Sequence, residues 1–188
     1  TLDEVEGDFE RAVRSLNQIL NLQGAVYPAT GESVVLHAHK GEVEIVGESS
    51  IRNVEGPVSR VELDPAAPRA VPEVLAAIRE AEMIVLSPGS LFSSLLPPLL
   101  VPEVLEAVRY SPAKIVYVAN LMPEPGETEG LSVAEHIAAL RAHNVRQPDC
   151  VLLHRGRTFP GMIDHALPQQ LLQQGVRPVY ENLVHDVD

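Results

Sequence analysis

Among 188 residues there is a single cysteine, Cys150. One thiol makes no intramolecular disulfide and no cysteine metal cage, which excludes a disulfide-stapled secreted scaffold and fits a reducing, cytoplasmic setting. Positive charge is scarce too: 14 Lys+Arg stand against 26 Asp+Glu, a formal net charge of -12. Such a field repels nucleic acid and anionic membrane surfaces unless basic residues gather locally, and no such cluster stands out. The most apolar stretch, residues 83–102, is broken by Gly89, by serines and by Pro88, Pro97, Pro98 and Pro102. It does not read as a helix that satisfies its own backbone in lipid. Neither a nucleic acid nor a membrane is therefore expected as a partner. An initiating Met is also missing: the chain opens on Thr1 directly into an amphipathic pattern, which reads as part of a longer polypeptide. What is present, 45% hydrophobic against 21% charged residues, is the balance of a core-forming chain of one-domain size.

Periodicity divides the chain in two. Phe9, Val13, Leu16 and Leu20 recur at helical spacing, predicting a one-face helix over residues 8–20. From Ala25 to Leu63 the period becomes two. Val34, Leu36 and Ala38 face one way, Lys40-Gly41 marks a tight hairpin, Val43 and Ile45 alternate with Glu42 and Glu44, and Val58 to Leu63 is a further extended run. This is a small antiparallel section with one wet face.

The second half repeats a helix–strand unit. VPEVLAAIR (71–79) is echoed by VPEVLEAVR (101–109), each with Pro in the first helical turn, and each precedes an apolar strand run, MIVLS (83–87) and KIVYVA (114–119). Ser132 and Glu135 form a capping box for a third helix bearing Val133, Ile137 and Leu140, followed by a strand at Val151 to Leu153. A fourth unit runs from Pro168 through Gly175 to Tyr180. Apolar strands alternating with helices predict a parallel sheet covered on both faces, whose ligands bind beyond the carboxyl ends of the strands. The expected organisation is one domain portion over 1–188, with a helix plus antiparallel strands in 1–70 and helix–strand units in 71–188.

Three strand-end loops are the places where chemistry belongs. Ser87 to Ser94 places Gly89 beside several hydroxyls, and a helix starting near Ser93 would offer free N–H groups to an anion, although such residues are also ordinary turn formers. It is not the G-x-S-x-G elbow of a nucleophilic serine. Asn120 to Gly130 is long enough for a binding loop; Asn120 either reads a base or sugar edge or caps its own loop. His154 to Thr158 carries Arg155 and Arg157, suited to a diphosphate or carboxylate, or to offsetting nearby acid. His37 and His39 share a strand face at metal-ligand spacing, but no third ligand is visible nearby, so they read as surface residues, as do His136 and His143 on the third helix. No metal and no cofactor are called for. Cys150 begins a strand as a small apolar residue.

The string from Ile84 to Leu140, with GDFERAVRSLNQILNLQGAVYPAT and GESSI upstream, resembles the YvcK (gluconeogenesis factor) family, itself similar to the CofD 2-phospho-L-lactate transferases. That family carries a G-P-G-S-L-Y-T-S loop and an N-L-M-T-Q-P-G-E-T loop. The first falls on Pro88, Gly89, Ser90 and Leu91, with Phe92 in place of Tyr and Ser93 in place of Thr; the second falls on Asn120, Leu121, Met122, Gly126, Glu127 and Thr128. The resemblance implies a Rossmann-like α/β fold and a bacterial, cytoplasmic, non-catalytic regulator that binds a nucleotide sugar such as a UDP-sugar and is linked to gluconeogenic growth and cell shape. The residues just named would line its ligand, with Gly89 and Ser90 near phosphate. A CofD-type transferase and an interaction scaffold without ligand are the alternatives, and a homodimer is compatible with each. The family's opening G-G-G-T-G and D-D-G-G-S segments have no counterpart in this sequence, so the N-terminal glycine-rich unit is expected to be absent; beyond Leu153 only His185-Asp186 matches.

Overall fold

Two sheets organise the computed structural model, which describes Val13, residues 23–165 and residues 168–184. All but Val13 of the helix expected over residues 8–20, and the His185-Asp186 match, lie outside the described residues.

The antiparallel sheet has the order β2-β1-β3, with β1 Val35–Lys40, β2 Val43–Val46 and β3 Arg60–Asp64. The hairpin turns where Lys40-Gly41 predicted it, Gly41 taking φ +59°, a left-handed conformation that suits a residue without Cβ. Leu36 and Ala38 point into the core and His37 and His39 to the other face, as the period of two requires. Lys40 also points inward. Its Nζ donates to the Ile51 carbonyl at 2.7 Å and to that of Val54, closing the short helix α1 (Glu48–Ile51) with a cation at its negative end.

The parallel sheet runs β4-β5-β6-β7 in sequence order, with β4 Met83–Leu86, β5 Lys114–Val118, β6 Cys150–His154 and β7 Arg177–Glu181. The twin Val-Pro-Glu segments form α2 (Pro72–Glu80) and, beyond a π-helical turn at Leu91–Leu95 and the short α3 (Leu96–Leu100), α4 (Pro102–Tyr110). Pro fits both starts because its missing N–H falls where the helix has no acceptor to offer. The capping box opens α5 (Val133–Ala142): Ser132 Oγ accepts from Glu135 N–H at 3.3 Å and Glu135 Oε2 accepts from Ser132 N–H at 2.7 Å. That backbone bond holds the Glu135 carboxyl below its ordinary range. The fourth unit is α6 (Pro168–Gln173) and β7, with Gly175 at φ +78° between them.

Full cover on both faces does not hold for β4. Met83 is 59% and Val85 52% exposed, because β4 ends the strand order and has a neighbour on one side only. His136 and His143 are also misplaced by the sequence reading: they are 0% and 7% exposed. His136 shares the buried side of α5 with Val133, Ile137 and Leu140 while Glu135 and Arg141 stay outside, and His143 caps the end of the helix. His143 fastens the two sheets together. Its Nε2 accepts the Val61 N–H at 3.0 Å, so Nδ1 carries the proton and donates to the Ala139 carbonyl at 2.8 Å, while Phe92 meets the ring edge-on. His136 has no partner at either ring nitrogen among the described residues, and burial pushes its pKa down to about 4. No single described helix is long and apolar enough to cross a membrane.

Candidate functional site

At the carboxyl ends of β4 and β5 lies a hollow of about 560 Å³, lined by Pro88, Gly89, Asn120, Leu121, Met122 and Glu124, with Leu183 arriving from the far end of the chain. Its shape depends on Asn120. The side-chain amide pairs with both backbone groups of Gly89 across the gap: Oδ1 accepts the Gly89 N–H at 3.1 Å and Nδ2 donates to the Gly89 carbonyl at 2.8 Å. Nδ2 also reaches Glu124 Oε1 at 3.3 Å. Both Asn120 functions are thus engaged by protein, which gives the residue a positioning role. Asn120 ties the Gly89 loop to its own. Gly89 presents open space where a Cβ would be, with no heavy atom within 4 Å.

Ser93 was expected to offer free N–H groups to an anion. The protein supplies that anion itself: Glu127, 1% exposed, accepts the Ser93 hydroxyl at 2.6 Å and the Ser93 N–H at 3.2 Å. A carboxylate at the start of this turn satisfies the orphan N–H that a phosphate would otherwise take. The rest of the second motif supports this arrangement. Thr128 is fully buried and its Oγ1 accepts the Glu124 N–H at 2.8 Å, while the Glu127 carbonyl accepts Val58 N–H at 3.1 Å. Gly126, at φ +74°, would bring a Cβ to 3.0 Å from the Arg52 backbone.

The motif residues therefore divide. Pro88, Gly89, Asn120, Leu121 and Met122 line the hollow. Ser90, Leu91, Phe92 and Ser93 are buried, as are Glu127 and Thr128. Phe92, standing where the resemblance has Tyr, is packed against His143, so the lost hydroxyl is lost within the core.

A second hollow of about 490 Å³ includes His154, Arg155, Phe159, Met162, His165 and Tyr180 in its lining. Arg157 lies over the Phe159 ring at 5.3 Å. The loop that forms it is tied to the first hollow: Ile163 N–H donates to the Leu121 carbonyl at 2.9 Å, and His165 bridges the strand ends. His165 Nδ1 accepts His154 N–H at 2.9 Å, so its Nε2 carries the proton and donates to the Asn120 carbonyl at 2.9 Å. His154 repeats the device, accepting Leu183 N–H at Nδ1 and donating from Nε2 to the Arg157 carbonyl. Burial lowers the His165 pKa, the neighbouring His154 adding to the effect and the Asn120 carbonyl opposing it. His165, Glu124 and Leu183 had no signal in the sequence, since each acts through a partner distant in the chain or through a turn that only the folded loop defines.

His37 and His39 are not without further ligands. The sheet sets Glu44 and Glu62 beside them, with His37 Nδ1 and Glu44 Oε1 at 2.7 Å and His39 Nε2 and Glu62 Oε1 at 3.1 Å.

A parallel sheet with a Gly-Ser loop and a long Asn loop converging at its carboxyl ends is a Rossmann-like architecture. Sequence comparison agrees: residues 1–183 match the family described as 2-phospho-L-lactate transferase CofD, and the chain belongs to that family. A protein of Deinococcus radiodurans is 46% identical over 165 residues, 86% of this chain and 35% of its own length. The gluconeogenesis factor of Bacillus subtilis is 43% identical over 143 residues, 76% of this chain and 45% of its own length. A crystal structure of a UPF0052 family member from Bacillus halodurans superposes with a TM-score of 0.89 at 33% identity, covering 98% of this chain and 64% of that one. The family expected from the Gly89 and Asn120 loops is thereby borne out, and the chain spans a third to a half of the length of the curated relatives it matches.

Proposed function

We propose that this chain forms part of a nucleotide-sugar binding protein, a regulator of the gluconeogenesis-factor kind tied to growth on gluconeogenic carbon and to cell shape, which holds a UDP-sugar without turning it over. The observation that carries the reading is the Asn120–Gly89 pairing. It fixes an open glycine backbone at the mouth of a hollow large enough for a nucleoside diphosphate moiety, at the strand ends where such sheets bind ligands. Met122, 46% exposed, offers apolar surface for a base, and Arg155 in the adjoining hollow offers a guanidinium to a diphosphate. Ser93 and Glu127 act one layer behind, holding the loop's shape. Calorimetric titration with UDP-glucose and UDP-N-acetylglucosamine tests this: saturable heat that Gly89→Asp removes while circular dichroism stays unchanged supports it, and no heat from either sugar overturns it.

The match to a transferase family favours a second reading, a cleft that aligns an activated nucleotidyl donor with a deazaflavin acceptor. Product formation from those two substrates with Mg²⁺ would establish it, and its absence would remove it. Glu124 is the titratable side chain lining the first hollow, and it is engaged by Asn120, an arrangement better suited to shaping a loop than to moving a proton.

A further inference from the structure

We infer that the solvent face of the antiparallel sheet is a binding site for a borderline divalent transition-metal ion of the zinc type, with His37, His39, Glu44 and Glu62 as its ligands. The argument begins with register. His37 and His39 sit two apart on the central strand, so they project from one face. Glu44 of β2 is directly opposite His39, and Glu62 of β3 is directly opposite His37. Two imidazoles are therefore flanked by one carboxylate from each neighbouring strand, a four-donor N₂O₂ set carried on rigid elements.

Donor atoms of His39, Glu44 and Glu62 already lie within 4.8 Å of one another, and His37 Nδ1 is 2.7 Å from Glu44 Oε1. Tetrahedral zinc with bonds of about 2.0–2.2 Å needs its ligands roughly 3.4 Å apart, so side-chain rotation brings the set to coordination distance without moving the strands. The histidine side chains are 20% and 27% exposed and the glutamates 53% and 42%, which leaves an ion or a completing water room to enter. The cluster borders a groove of about 880 Å³ lined by His37, Glu44, Arg60, Glu62 and His143 among others. Arg60 is the opposing charge. Its Nη2 is 2.7 Å from Glu62 Oε2, while the oxygen facing His39 is Oε1, so the guanidinium and an ion would use different oxygens of one carboxylate. Mixed imidazole and carboxylate donors favour zinc, cobalt, nickel or copper over magnesium or calcium, which take oxygen alone.

In the metal-free protein the imidazole–carboxylate bonds tie up donor atoms that the metal would take, so binding replaces those bonds. The test is calorimetric titration of the chelator-treated chain with ZnCl₂ at pH 7.5, with MgCl₂ as comparison. One equivalent of Zn²⁺ bound with a micromolar or tighter Kd, and no Mg²⁺ response, are expected. His39→Ala and Glu62→Gln should each weaken zinc at least tenfold. Cobalt gives a second measurement, an intense visible absorption for a four-coordinate ion that the same variants abolish. No saturable zinc heat, or zinc affinity unchanged in the His37→Ala/His39→Ala double variant, overturns the proposal.

Discussion

Replacing Asn120 by Asp changes one atom group and reverses its role. Asn120 is 4% exposed, so a carboxylate placed there is largely withdrawn from bulk water. The Oδ1 bond to the Gly89 N–H survives, but the oxygen replacing Nδ2 faces the Gly89 carbonyl at 2.8 Å and Glu124 Oε1 at 3.3 Å. Leaving the part-buried Gly89 carbonyl unpaired costs about 1–3 kcal/mol, and a second carboxylate beside Glu124 adds repulsion, for a total near 3 kcal/mol. The penalty belongs to the ionised form. A protonated carboxyl donates to the Gly89 carbonyl much as the amide does, so the folded state raises the new group's pKa, and 3 kcal/mol corresponds to about two pH units. The variant should match the parent near pH 4 and fall behind as pH rises to about 6, the gap then staying constant. Urea denaturation of parent and Asn120→Asp at half-unit pH steps measures that gap directly. Equal stability at pH 7, or a gap that does not change between pH 4 and 6, would show that Asn120 does not hold Gly89 as described.

Other perturbations probe the layers around that pairing. Glu127→Ala leaves the Ser93 N–H and hydroxyl without their buried acceptor and should destabilise the chain by about 2–4 kcal/mol in urea, with Glu127→Gln recovering part of the loss. Gly126→Ala meets both a left-handed φ of +74° and the Arg52 backbone at 3.0 Å, so about 2 kcal/mol or more should be lost, again read from urea midpoints. Burial lowers the pKa values of His136, His143 and His165 in the folded state, so folding is opposed as the unfolded chain takes up protons below about pH 6.5. For His136, whose pKa falls to about 4, the loss between pH 6.5 and 4 is about 3 kcal/mol, and His136→Leu should flatten that part of the urea-derived stability curve.

The helix–strand units were legible because their signals are local. Pro102 at a helix start, the Ser132–Glu135 box and the Gly41 turn each depend on residues within a few positions of one another. Exposure of Val85 was not legible, since an edge strand and a central one carry the same apolar run until the strand order is known. The candidate site shows the same division. Loop composition pointed to Gly89 and Asn120, yet what Asn120 touches depends on how the ends of β4 and β5 converge. Glu62 could not be joined to His37 and His39 without the β1–β3 register, which lies some twenty residues away in sequence.

Glu127 and Asn120 carry that distinction into the chemistry. A Gly-Ser loop entering a helical turn invites the reading that its N–H groups await a phosphate. Here the chain delivers a carboxylate to one of those groups from its second loop, and an amide to the peptide of Gly89 from the same loop. The two loops are thus a single unit, in which the second sets the first to atomic precision and then presents Leu121 and Met122 beside it. His165 extends the unit to a third segment by holding the Asn120 carbonyl, and it can do so only as a neutral imidazole, because Nδ1 must accept from His154. Under the proposed nucleotide-sugar reading, affinity at Gly89 would depend less on charge placed in the hollow than on three buried side chains, Asn120, Glu127 and His165, which keep the Gly89 backbone in position before any ligand arrives.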